Sequence, residues 1–84
     1  MTSIDWTQMK TAEQLETERL ERATESARDQ RDRLLTDSDW VTIRATERGD
    51  PVPTEWQTYR QSLRDIPLQA GFPEEIEWPQ EPES

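Results

Sequence analysis

Few side chains in this 84-residue chain could carry chemistry, and their spacing argues against most of it. Cys and His are both absent, which removes thiolate nucleophiles, thiolate zinc sites and the commonest general base. Asp37 and Asp39 are spaced like the first two ligands of a calcium loop. That loop also needs a glycine and an acid further on, where this chain has Thr42 and Arg48. We therefore interpret the two aspartates as part of a helix stop.

A second acidic group could be compared with the carboxylate pair of a glycosidase, and consists of Glu74, Glu75 and Glu77. Such a pair needs a site that buries it and holds a sugar, which so short a chain does not offer, so a solvated acidic tail is the better interpretation. The sequence also has no glycine-rich phosphate loop and no serine beside a plausible base. We predict a protein that is not an enzyme and that needs no cofactor and no metal.

The charge balance narrows the choice of partners. Nineteen acidic residues against ten basic ones give a formal net charge of -9. This excess of acid argues against binding to a nucleic-acid backbone and against binding to an anionic membrane surface. No apolar run is long enough for a membrane span or for the core of a signal sequence. We expect a cytoplasmic protein with neither nucleic acid nor membrane as a partner.

The positions of proline and glycine predict a mainly α fold in two unequal parts. All six prolines and both glycines lie after residue 48, so the first half can be one helix and the second must be short pieces joined by turns. Thr11 and Gln14 have the spacing of a capping box, and good helix formers follow. We predict an N-terminal arm over residues 1–10, whose role stays open, and a long amphipathic helix over residues 11–35.

The apolar stripe of that helix is narrow. Leu20, Ala27 and Leu34 recur every seven residues, and Ala23 lies between the first two. A helix that packs on its own domain usually has a wider apolar face, whereas a thin stripe suits a coiled coil or the groove of a partner. A solvent-exposed helix held by its own charge pairs is the alternative. We favour packing on a partner protein or on a second copy, because so polar a helix is marginal by itself.

Residues 36–80 are expected to form a small aromatic module. We predict turn and loop over residues 36–53, with one short turn or strand at 40–43. A second helix should follow over residues 54–65. It should begin with another capping box, formed by Thr54 and Gln57. A Trp/Pro-rich extended segment should follow, and residues 81–84 should be a disordered tail.

Aromatic and basic side chains of this module are the remaining candidates for binding. Five of the six aromatic residues lie after residue 39, and most should form a miniature core while some serve as interface anchors. Arg60 and Arg64 lie one turn apart and could bind a partner carboxylate, although local pairing with Asp65 or the acidic tail is favoured. The predicted partner-binding residues are Leu20, Ala23, Ala27, Leu34, Trp40, Trp56, Tyr59, Arg60, Arg64 and Trp78.

The second half of the chain resembles the phage tail assembly chaperone family. The resemblance rests on residues 59–65, which read Tyr-Arg-Gln-Ser-Leu-Arg-Asp, on the later Trp78-Pro79, and on the charged run over 28–35. It covers about residues 28–80 and implies a chaperone that assists tail fibre assembly in the host cytoplasm. The fibre protein would be its partner, and the chain would either leave after assembly or stay in the virion.

Two other functions are considered beside this one. The first is a purely structural small subunit of the tail or baseplate. The second is an acidic inhibitor that mimics DNA and blocks a host enzyme. The ten basic residues interleaved with the acids count against the inhibitor, because they break up the negative surface that such mimicry requires.

Overall fold

A computed structural model describes residues 11–83, so the arm predicted over residues 1–10 lies outside the described part. The described chain contains three α-helices and one 3-10 turn, with no strand among residues 11–83. Their bounds are α1 at Ala12–Asp37, α2 at Asp39–Arg48, α3 at Thr54–Arg64 and the 3-10 turn at Ile66–Leu68. The prediction of a mainly α fold with a long first helix is confirmed.

Helix α1 begins with the capping box that its sequence predicts. The Thr11 hydroxyl accepts a hydrogen bond from the Gln14 backbone N–H at 3.1 Å. The Gln14 side-chain oxygen accepts one from the Thr11 N–H at 2.9 Å. The helix ends where the Ser38 N–H bonds the carbonyls of Leu34 and Leu35. At 1.5 Å per residue, α1 is about 39 Å long, and it ends two residues later than predicted.

Helix α2 corrects the prediction of loop over residues 36–53. It begins after the single residue Ser38, and residues 40–43 lie inside it. Val41 and Ala45, one turn apart, are both buried. Their burial outweighs the low helix propensity of the β-branched residues in this stretch. Gly49, with φ of 69°, ends the helix. The Asp50 N–H there bonds the Ala45 carbonyl, as in a Schellman motif.

Helix α3 has nearly the predicted bounds but a different start. The capping box predicted at Thr54 and Gln57 is wrong, because Thr54 is already helical and Pro53 occupies the cap position. The Gln57 side-chain amide instead donates to the Val52 carbonyl at 2.6 Å. At the other end, the 3-10 turn that contains Pro67 follows directly and prevents the helix from continuing.

The helices meet in one small core near the C-terminal end of α1. Its buried members come from α2 and α3 and are Val41, Trp56, Tyr59 and Leu63. Four partly buried side chains pack against them from α1, the α2–α3 connection and the C-terminal segment, namely Leu34, Leu35, Val52 and Trp78. None of the helices described over residues 11–83 is long and apolar enough to cross a membrane.

The C-terminal segment returns along the helices. Turns over residues 70–75 interrupt the extended path predicted for it, and residues 76–83 are neither helix nor strand. The Gln69 side-chain amide holds the loop closed, since it donates to the Glu77 carbonyl and accepts from the Glu77 N–H, both at 2.8 Å. Gly71 is required inside this loop, because a Cβ there would collide with the Glu75 carbonyl oxygen.

Candidate protein-interaction surfaces

The apolar stripe of α1 is divided between the chain's own core and solvent. Ala27 is buried, and Leu34 packs against the core. Leu20 and Ala23, closer to the N-terminus, are only half-buried. The predicted stripe thus has two parts with different surroundings, and only its N-terminal part is accessible to another protein.

The aromatic side chains are divided in the same way. Trp56 and Tyr59 are 3% and 5% exposed and form the miniature core that was expected of most aromatics. The Trp56 ring meets Trp40 and Tyr59 edge-to-face, with centroids 5.6 and 5.8 Å apart. Trp78 is half-buried against the same core. Trp40 is the most exposed of these four rings.

Trp40 belongs to a surface patch on α2 that we call the outer α2 surface, made of Trp40, Ile43 and Arg44. Trp40 is 40% exposed and Ile43 is 58% exposed. The Arg44 guanidinium lies over the Trp40 ring, 4.6 Å from its centroid, which is a cation–π contact. Ile43 and Arg44 are not among the predicted partner-binding residues, because the turn-forming residues around them predict a loop over residues 36–53. The i, i+3 spacing of Trp40 and Ile43 was the available signal.

Arg60 is engaged inside the chain. One of its nitrogens donates to the Leu35 carbonyl at 2.8 Å and to the Ser38 hydroxyl at 2.6 Å, and the other donates to the Asp39 carboxylate at 2.8 Å. Its side chain is 12% exposed. We expected the arginines of α3 to pair locally with Asp65 or with the acidic tail. The charged partner of Arg60 is instead Asp39. Arg60 therefore fixes the junction between α1 and α2.

Arg64, one turn further along α3, is exposed and donates only a long hydrogen bond, 3.3 Å, to the Gln61 side chain. It stays accessible to a partner, unlike Arg60. The predicted pair of arginines is therefore not one binding unit.

An exposed ion network links the first half of α1 to the C-terminal segment. The Arg19 guanidinium contacts the carboxylates of Glu16 and Glu74. The hydrogen bond from Arg19 lowers the pKa of Glu16, and the same contacts raise the pKa of Arg19. These pairs keep residues 71–75 beside α1, although exposed ion pairs are individually weak.

A further groove lies between α3 and the end of the chain. Its apolar wall contains Tyr59, Pro79 and Pro82, and Glu81 lies at its edge. Burial, together with the charges of Glu81 and Asp37, raises the pKa of Tyr59. Over residues 11–83, no three acidic side chains are grouped so that they could hold a metal ion.

Comparison with protein families matches residues 24–83 to a family model described as phage tail assembly chaperone protein. Comparison with curated proteins and with solved structures gives no significant match. The matched range begins inside α1 and takes in α2, α3 and the C-terminal segment. It therefore includes the whole core and the outer α2 surface.

Proposed function

Because the chain belongs to the phage tail assembly chaperone family, we propose that it binds the tail fibre protein and shields it before assembly. Fibre chains that await assembly expose apolar seams and strand edges that can pair wrongly. A protein that covers them favours the unassembled but competent state by binding energy alone. We place this action in the cytoplasm of the host cell, where tails are assembled.

The outer α2 surface supports this proposal most directly. Trp and Arg are the residues that most often dominate binding energy at protein interfaces. Trp40 is held between the Trp56 ring and the Arg44 guanidinium while 40% of it remains exposed. A side chain that is already fixed loses little conformational entropy on binding. Trp40 and Ile43 are therefore proposed as the aromatic and aliphatic anchors for the fibre protein.

The first half of α1 is proposed as a second contact. Leu15 is exposed, and Leu20 and Ala23 are half-buried. This part of the helix would lie on the fibre protein or on a second copy of the chain. Ala27, Leu34 and Trp56 are not proposed as direct contacts of the fibre protein, since the chain's own packing already covers them.

Co-expression with the fibre protein, followed by co-purification and mass measurement, tests the proposal. Ile43→Asp should lower recovery of the complex about tenfold or more, as expected for a central interface residue. Thr42→Asp is the matched control, because it adds the same charge at an exposed neighbouring position of α2 and should leave recovery unchanged. If the fibre protein folds, trimerises and stays soluble without this chain, the assembly role is wrong.

Purified phage particles distinguish a chaperone that is released from one that is retained. A 9.9 kDa band in constant ratio to the fibre protein would identify the chain as a virion component. Its absence from particles, together with binding during assembly, would identify a chaperone that leaves.

A further inference from the structure

The groove between α3 and the C-terminal segment has the form of a binding site. It is an open groove of about 750 Å³, within the range of natural ligand pockets. One wall is α3, and the other is formed by residues 79–83. Pro79 and Pro82 are half-buried there, so the apolar wall is continuous between the two elements.

A polar group without a hydrogen-bond partner lies at this groove. Tyr59 lines it and is only 5% exposed. Its hydroxyl has no hydrogen-bond partner among residues 11–83 and reaches solvent, because no fully buried side-chain oxygen in this part of the chain is unpartnered. The hydroxyl oxygen can accept a hydrogen bond from a donor that enters the groove.

The charges around the groove have one sign. Glu55, Glu81 and Glu83 line it, and neither Lys nor Arg does. On α1, by contrast, arginines stand beside the acids, as Arg19 stands beside Glu16. The groove therefore attracts a cation, and its apolar wall suits a cation that is carried on an aliphatic stem.

We propose that this groove binds a lysine or arginine side chain presented by an extended segment of a partner protein. The aliphatic stem would pack on Pro79 and Pro82. The cationic head would donate to the Tyr59 hydroxyl and would be attracted by the carboxylates of Glu81 and Glu83. The identification of the partner as a phage tail protein rests on the proposed function. The preference of the groove for a basic side chain follows from its own residues and does not depend on that function.

A peptide titration of the full-length chain tests this site. The probe is the acetylated and amidated peptide Gly-Ala-Arg-Ala-Gly, followed by amide NMR at low ionic strength, where such attraction is least screened. The control peptide carries citrulline, an uncharged isostere, in place of arginine. We expect shifts confined to residues 54–62 and 79–83, and several times larger for the arginine peptide. Equal shifts with the citrulline peptide would overturn the proposal.

Three variants locate the binding. Tyr59→Phe, which keeps the ring, and Glu81→Gln, at an exposed position, should each raise the dissociation constant roughly two- to fivefold. Glu25→Gln is the matched control, because it removes the same charge from the exposed surface of α1, and should leave the dissociation constant unchanged. An equal loss in Glu25→Gln would mean general attraction to an acidic protein and would overturn the site. The titration does not involve the fibre protein, so failure of co-purification would count against the proposed function and not against the groove.

Discussion

The two ends of α1 belong to one helix but are stabilised by different interactions. Over residues 12–17 every side chain is exposed, and the helix is supported by its capping box and by short-range charge pairs. Near its other end, Leu34 and Leu35 pack against a core supplied by α2 and α3. An isolated helix with so little apolar surface is marginal in water. The packed end therefore supplies most of the free energy of folding, while the side chains at the other, free end stay exposed to solvent.

Of the variants considered, Trp56→Ala should lower the free energy of unfolding the most, because it acts at the packed end of α1. It removes a buried ring that touches both Trp40 and Tyr59 and should lower the free energy of unfolding by about 3–5 kcal/mol. Leu15→Ala, at the free end, should change it by no more than about 0.5 kcal/mol. Urea denaturation measures both. An unchanged midpoint in Trp56→Ala would show that the ring is not part of a stabilising core.

Arg60→Ala should have the next largest effect. It leaves the Ser38 hydroxyl and the Leu35 carbonyl without their charged donor and should cost about 1–3 kcal/mol. Arg60→Lys should restore only part of this, because an ammonium group cannot reproduce the planar fork of the guanidinium. Arg64→Ala, on the exposed neighbour, is the control and should be nearly neutral. Equal losses in the two alanine variants would mean that the junction does not depend on Arg60.

Thr11→Ala should act locally. Losing the cap should destabilise the first turn of α1 by about 1 kcal/mol. Because this end makes few tertiary contacts, we expect faster amide hydrogen exchange over residues 12–16 with an unchanged global midpoint. A lowered global midpoint would show that the free end is coupled to the core after all.

Arg19→Gln should have the smallest effect on stability and a clear effect on titration. The hydrogen bond and charge of Arg19 lower the pKa of Glu16, so the stabilisation is present above the ordinary carboxyl pKa and is lost as pH falls through the lowered value. In Arg19→Gln the pKa of Glu16 should rise towards its ordinary value, as NMR titration would show. Added salt should weaken the effect in the parent chain. An unchanged pKa would mean that the pair does not persist in solution.

Local signals in the sequence predicted local structure well. The box at Thr11 and Gln14 needs only four consecutive residues, and it is present as predicted. Pro67 likewise marked the end of α3 to within one residue. Helix α2 was missed because it depends on packing: the buried residues that share a core with Val41, namely Trp56, Tyr59 and Leu63, come later in the chain. Its own residues favoured turn or strand, although Ser38 and Gly49 marked its two ends.

For the candidate interaction surfaces, the sequence could predict which residue types take part but not where the fold places them. The expected core role of the aromatic residues is confirmed for Trp56, and the anchor role stays a prediction; which ring lies in which place depends on how α2 and α3 cross. Arg60 could not be assigned from sequence, since its partners lie 21 to 25 residues earlier in the chain. The acidic groove was missed for the same reason: its two walls, Tyr59 and residues 79–83, are brought together only by the return of the C-terminal segment.

The reach of Arg60 back to Leu35 also sets an order of events on the ribosome. Synthesis runs from the N-terminus, and the part made first generally folds first. Helix α1 can start from Thr11 as soon as Gln14 has been added, because its cap needs nothing later. The contacts that fix its far end require residue 60 to have emerged as well. A nascent chain that does not yet include Arg60 therefore carries a helix that is capped at Thr11 but not yet fixed at its C-terminal end, and that end can contact another surface.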